Sequence, residues 1–384
     1  MYMTKKEVKS DKAVLLDDMI LTSDMPTSAG SRMLEGYMSL FGATVVDKLI
    51  EKGYEIAGKA KVGELAIDVI GETSYFGAEK DEKGNLTLAS AQLLKTENLK
   101  GAIQLDANGS PRRAAAVSGL VFVKSTYGTV SRFGTIPVAC SGEAVGVMAK
   151  DAEDCLELLS AIKGYDEKDG TSLPEAMIGK VDKINKVAVV RAFEKTVDDG
   201  VKANIDAFIK KLEAKGVEVV EIDGKELLLA KTAWNILMSA ELCNNVSRYD
   251  GVKYGYRAAE YTTIDELYTN SRTEAFGDLL KKAILFGSET LSDENYMKVY
   301  DKALRMRRVM VEYFNSVFAY ADAVLMPATS TTAYTEESVK DRAYDENLYT
   351  APASITGLPA VVADGVQLVG KAFSEEAILA LLGK

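Results

Sequence analysis

Three consecutive segments in the second half of the chain narrow the folds open to it. KVAVVRAF (186–193) is an apolar, β-branched run that reads as a buried strand. DDGVKANIDAFIKKLEAKG (198–216) places Val201, Ile205, Phe208, Ile209 and Leu212 on one face of a helix, and VEVVEID (217–223) is the next strand. Strand, helix and strand in that order return the chain parallel to itself, with the helix packed on the sheet. The predicted class is α/β, a largely parallel sheet with helices on both faces.

The first half repeats the alternation. AVLLDDMIL (13–21) reads as a short buried strand ending in acidic residues. GATVVDKLIEK (42–52) has helical spacing and stops at Gly53, and YEIAGKA (54–60) is a strand. A polar turn, EKDEKGN, precedes the amphipathic LASAQLLKTENL; AIQLD is then a strand and GSPRRAAAVSGLV opens a helix. Residues 255–320 read as mostly helical, ADAVLMPATSTTA as a strand entering a polar loop, and the tail as a hairpin followed by a helix. No low-complexity linker interrupts this order, so residues 1–384 are expected to form a single domain.

Charge and composition exclude several functions. A net charge of −11 offers a polyanion no overall attraction, so no direct nucleic-acid partner is expected. The tyrosines of SRYDGVKYGYR accordingly read as packing and a surface turn rather than base stacking. No apolar run is long enough for a membrane span, and MYMTKKEVKSDK lacks the apolar core of a signal peptide. Cys140, Cys155 and Cys243 have no paired or metal-ligand spacing; they suit a reducing cytoplasm, and neither metal nor other cofactor is expected. The chain has no histidine, so a nucleophile must find its base among lysines, carboxylates or other hydroxyls.

DANGSPRR (106–113) is the segment with the most chemistry. Ser110 reads either as a nucleophile or as the N-cap of a helix with Pro111 at its first position; the cap reading is favoured. Arg112 and Arg113 read as a solvated or salt-bridged face rather than an anion site. Asp106 is expected to accept hydrogen bonds from its own turn. Asp17 and Asp18 are neighbours on a strand, point to opposite faces and are not expected to share a proton.

Several long motifs occur together and in order. They are GATVVDKLIEKGYEIAGKAKVGELA, SGLVFVKSTYGTVSRFGTIPVACS, SRYDGVKYGYR, RTEAFGDLLKKAILFG, YDKALRMRRVM, LMPATSTTAYTEE and NLYTAPASITGLPA. With them the chain resembles the amidase signature family, and within it the A subunits of tRNA-dependent amidotransferases, from about Ala13 onward. The resemblance implies a mixed β-sheet core flanked by helices on both sides. It implies a serine nucleophile, a second serine, a lysine base and an oxyanion loop of backbone N–H groups.

Matched position by position, Ser110 takes the nucleophile's place, and Ala107, Asn108 and Gly109 form the oxyanion loop. Thr87 falls at the second serine, with Ser90 a weaker candidate, and Leu16 stands where the lysine belongs. The residues that grip an amino-acid substrate match Trp234, Ala283 and Asn347, none of which carries a charge. Trp234 is expected to fill the space of a substrate. An alkyl group at position 16 accepts no proton. The expectation is therefore a catalytically silent member that binds a protein partner, such as another amidotransferase subunit, or a small ligand. The alternative is an active amidohydrolase or glutamine-dependent amidotransferase subunit that releases ammonia through Ser110.

Overall fold

The computed structural model describes residues 1–383. The strands are β1 (Tyr2–Lys5), β2 (Ala13–Asp17), β3 (Glu55–Ala60), β4 (Glu79–Lys80), β5 (Leu86–Thr87), β6 (Gly101–Asp106) and β7 (Val121–Lys124). They continue with β8 (Ala144–Ala149), β9 (Lys186–Val190), β10 (Glu218–Ile222), β11 (Ala323–Pro327), β12 (Ala360–Ala363) and β13 (Val366–Gly370). All but the small β4–β5 ladder join one sheet, in the order β1-β3-β2-β6-β8-β7-β12-β13-β11-β9-β10.

The β9–helix–β10 unit forms as the spacing predicts, with β9 parallel to both β10 and β11. β2 is likewise parallel to β3 and β6. The centre differs from the largely parallel expectation: β6–β8, β8–β7, β7–β12, β12–β13 and β13–β11 are all antiparallel. Short connections contribute to this. A tight link such as Asp364–Gly365 between β12 and β13 leaves no room for a crossover helix. The sheet is mixed.

Helices cover both faces, and the alternation along β2 shows how. Val14 and Leu16 enter the core shared with α1 (Thr44–Glu51) and α4 (Ala152–Ile162). Ala13 and Leu15 enter a second core with α2 (Ala89–Thr96) and α3 (Ser110–Ser118). The remaining helices that matter for the site are α6 (Ala230–Val246), α8 (Asp278–Thr290) and α11 (Ala343–Thr356), and α6 packs against both of the others. Gly287 of α8 makes that approach possible, because a Cβ there would overlap the Ser239 carbonyl. No helix among the described residues is long and apolar enough to cross a membrane.

Candidate active site

Ser110 stands where β6 ends and α3 begins, after the turn Ala107–Asn108–Gly109. It is not the cap. Gly109 is the N-cap, in a left-handed conformation (φ +91°) that glycine adopts freely, and no side chain caps the helix. Ser110 occupies the first helical position, buried, and its hydroxyl makes no hydrogen bond among the described residues. Glycine at 109 is also required by packing, since a Cβ would sit 2.5 Å from the Thr350 side chain.

The turn is held by charge. Asp106 accepts from the Gly109 N–H at 2.9 Å, as expected of a turn aspartate, and pairs with Arg112 Nε at 2.7 Å. The Gly109 N–H is thus engaged by Asp106 in this structure. Arg112 and Arg113 do not form a solvated face; both are fully buried. Arg112 also donates to Thr350 O (2.8 Å) and Ser354 Oγ (2.7 Å). Arg113 donates to the carbonyls of Val69, Asp68 and Asn108 at 2.7, 3.0 and 2.9 Å. The two guanidiniums tie the Ser110 turn to α11 and to the loop after β3.

Leu16 is fully buried and carries no group that accepts a proton. Its side chain enters the α1–α4 core, whereas α3 packs on the other face, beside Leu15. Leu16 pairs with Ile103 on β6, the strand that leads to Ser110, and the next residue, Asp17, accepts from Leu105 N through Oδ2 at 2.7 Å and from Met19 N through Oδ1 at 3.0 Å. Thr87 lies away from Ser110. Its hydroxyl sits 3.3 Å from Ser118 Oγ at the other end of α3, about 12 Å along the helix axis. Ser90 is engaged by Gln104 Nε2 at 2.6 Å.

Sequence reasoning passes over Lys59. It pairs in register with Leu16 across β2–β3, is fully buried and donates to Thr27. Asp18 accepts from the Ser28 N–H (2.9 Å) and hydroxyl, leaving Oδ1 without a partner. Burial drives these groups toward neutrality. It raises Asp17 to about 7 and Asp18 to about 6, and lowers Lys59 to about 8 against the pull of both carboxylates. A GK pair inside an otherwise apolar strand is the available signal, since a lysine there must be buried.

These shifts make stability depend on pH. Burial also raises Glu64 to about 7 and Glu72 to about 8. Carboxyls raised in the folded state hold protons that the unfolded chain has already released near pH 4. Their contribution is complete below that pH and is lost as pH climbs through the folded values. The urea midpoint is expected to fall between pH 5 and pH 7.5. A higher midpoint at pH 7.5 would show that these carboxyls are not protonated in the fold.

The substrate-grip positions lie in α6, α8 and α11. Trp234 is fully buried and donates from Nε1 to Asn108 Oδ1 at 2.9 Å. Asn347 donates to Asn235 Oδ1 (2.6 Å), with its amide against that of Asn108. Ala283 is buried and does not line the crevice. That crevice, beside Asn108, is walled by Ile67, Asn108, Met238, Leu279, Ala343 and Tyr344, and has no room for a water molecule. It shares Leu279 and Ala343 with an outer vestibule of about 630 Å³.

Known proteins give this site a context. The sequence model of the family described as Amidase matches residues 13–80 and 96–379. The chain is 35% identical to the A subunit of the glutamyl-tRNA(Gln) amidotransferase of Latilactobacillus sakei subsp. sakei (strain 23K), covering 94% of this chain and 80% of the relative. The protein of the same name from Neisseria meningitidis serogroup C (strain 053442) is 33% identical, over 95% and 81%. Among solved structures, the A subunit of the glutamyl-tRNA(Gln) amidotransferase from Thermotoga maritima superposes with a TM-score of 0.81 at 27% identity, covering 98% of this chain and 85% of that one. Relatives so similar over nearly the whole chain bear the name of an enzyme subunit, which overturns the expectation of a catalytically silent binding protein. From the length matched and the order of its motifs, the chain belongs to the amidase family.

Proposed function

We propose that the chain is an A-type amidotransferase subunit that cleaves an amide through Ser110 and releases ammonia. The observation that carries the reading is a serine at the first position of a helix, its hydroxyl free of any capping bond, in a chain this similar to the A subunits of amidotransferases. Helix N-terminal N–H groups and the helix dipole favour the negative charge that develops on a carbonyl oxygen there. Ser110 Oγ forms a bond to the amide carbon and gives up its proton; the C–N bond breaks and the nitrogen leaves as ammonia. Water then cleaves the ester, returning the serine hydroxyl and a carboxylic acid. Asp17, brought to about 7 and hydrogen-bonded to Leu105 on the strand that leads to Ser110, is the buried carboxyl suited to exchange a proton at neutral pH. Another amidotransferase subunit is the protein partner this reading calls for.

The test is ammonia release from primary amides by wild type and Ser110→Ala, alone and with the companion subunits of an amidotransferase. Release by wild type that falls to background in Ser110→Ala is the expected result. Equal release by both proteins, or none from wild type under any of these conditions, overturns the reading.

A further inference from the structure

We infer that the chain carries a second binding site, for a small organic monoanion with an apolar, ring-sized body, such as an arylalkyl carboxylate. The site is a pocket of about 320 Å³ between the segment that leaves β2 and SRYDGVKYGYR (247–257), which follows α6. Neither Ser110 nor any residue of the crevice beside Asn108 or of the outer vestibule lines it, so the inference does not depend on the reading of Ser110. The backbone fixes the segment in place. Tyr256 N donates to Met33 O at 2.7 Å, and Gly255 passes that carbonyl in a left-handed conformation (φ +81°), where a Cβ would collide with the oxygen. Tyr254 is thereby set against Tyr37, with ring centroids 5.6 Å apart, and edge-on to Tyr249 at 6.2 Å. Phe41 and Phe133, 5.2 Å apart, add a second pair of rings to the wall, and Leu21, Leu34 and Ile136 supply buried aliphatic surface.

The polar groups of this lining are uncommitted. The hydroxyls of Tyr37, Tyr249 and Tyr254 make no hydrogen bond among the described residues, although Tyr249 is only 4% exposed. A buried tyrosine hydroxyl ordinarily has a partner, and a ligand in the pocket can supply one. Burial raises Tyr249 and Tyr254, so both hydroxyls keep their protons and are donors. Arg248, exposed at the rim, donates from Nε to Asn245 O at 2.9 Å and from Nη2 to Asn245 Oδ1 at 3.2 Å, which orients the guanidinium and leaves Nη1 free. No carboxylate among the described residues lines the pocket, and Asp250 accepts from Val252 N at 2.8 Å in its own turn. One cation among neutral donors matches a single negative charge. A polyphosphate or nucleic acid would meet a chain of net charge −11 with no second cation in the lining. The volume lies near the lower end of small-molecule sites, roughly 300–1,000 Å³, which suits one ring and a short chain.

Calorimetric titration of the full chain with 3-phenylpropionate tests the assignment, with 3-phenylpropanol and 3-phenylpropylamine as uncharged and cationic counterparts. The carboxylate is expected to bind at least about tenfold more tightly than either, a difference of about 1.4 kcal/mol. Arg248→Met, at an exposed position where folding is not at stake, is expected to remove most of that preference. Tyr249→Phe, which retains the ring, is expected to weaken the carboxylate by about three- to tenfold through the lost donor. Ser110→Ala is expected to bind it as wild type does. A carboxylate preference that survives Arg248→Met, equal binding of carboxylate and amine, or no binding of 3-phenylpropionate to wild type overturns the inference. Loss of binding in Ser110→Ala also overturns it, by placing the carboxylate at the catalytic turn. Ammonia release tests the amidase reading separately, so the two can fail independently.

Discussion

Arg112→Met is expected to destabilise the protein by about 3–5 kcal/mol, the cost of leaving a buried charge without its partner. Arg112 and Asp106 are both fully buried, and two guanidinium nitrogens face the carboxylate, at 2.7 and 3.3 Å. Methionine retains much of the volume but none of the donors. The Asp106 charge is then stranded, and Thr350 O and Ser354 Oγ each lose a donor. Guanidinium-chloride unfolding followed by tryptophan fluorescence measures the loss. The single tryptophan, Trp234, is bonded to the same turn through Asn108, so its signal reports on the region concerned. Adding Asp106→Asn to Arg112→Met is expected to recover part of the loss, because the stranded charge disappears while the cavity and missing donors remain. If the double variant is no more stable than Arg112→Met, unpaired charge is not what the single substitution costs, and the pair contributes mainly through packing.

The same turn shows where sequence and structure part. Elements built from periodic apolar residues are legible: the β9–helix–β10 unit, the helix that stops before Gly53, and the C-terminal hairpin and helix all form where the pattern places them. The burial of Arg112 and Arg113 is not legible. DANGSPRR is polar to the eye, and the atoms that satisfy its arginines lie on Thr350 and Ser354, some 240 residues along the chain, or on carbonyls of the loop after β3. Ser-Pro is a common helix opening, which points to Ser110 as the N-cap. Gly109 takes that place instead, with Thr350 packed against its α-carbon and no space for a side chain. Leu15 and Leu16 are neighbours on β2 yet enter different cores, because in a strand one residue exchanges faces. Trp234 and Asn347 stand out in the sequence only as separate positions. That they converge on Asn108 depends on how α6 and α11 cross, which no local pattern encodes.

Trp234→Ala is expected to cost about 3–5 kcal/mol, as does removal of a large aromatic from a core. Trp234 is surrounded by protein on every side: its ring lies against Gly142, where a Cβ would collide with it, and its indole N–H satisfies Asn108. Two terms are mixed in that loss, and Trp234→Phe separates them. Phenylalanine retains most of the apolar body and removes the N–H, leaving Asn108 Oδ1 without that donor, at a cost of about 1–3 kcal/mol. The expected order of unfolding midpoints is therefore wild type, then Trp234→Phe, then Trp234→Ala. The order bears on the site as well as on stability. If Trp234→Phe is as damaging as Trp234→Ala, the indole serves chiefly to hold the Asn108 side chain, and with it the Ser110 turn. If Trp234→Phe is close to wild type, the ring is a wall that fills volume. Trp234→Ala would then leave a cavity between Gly142 and Asn108, and its extra loss over Trp234→Phe measures that lost packing.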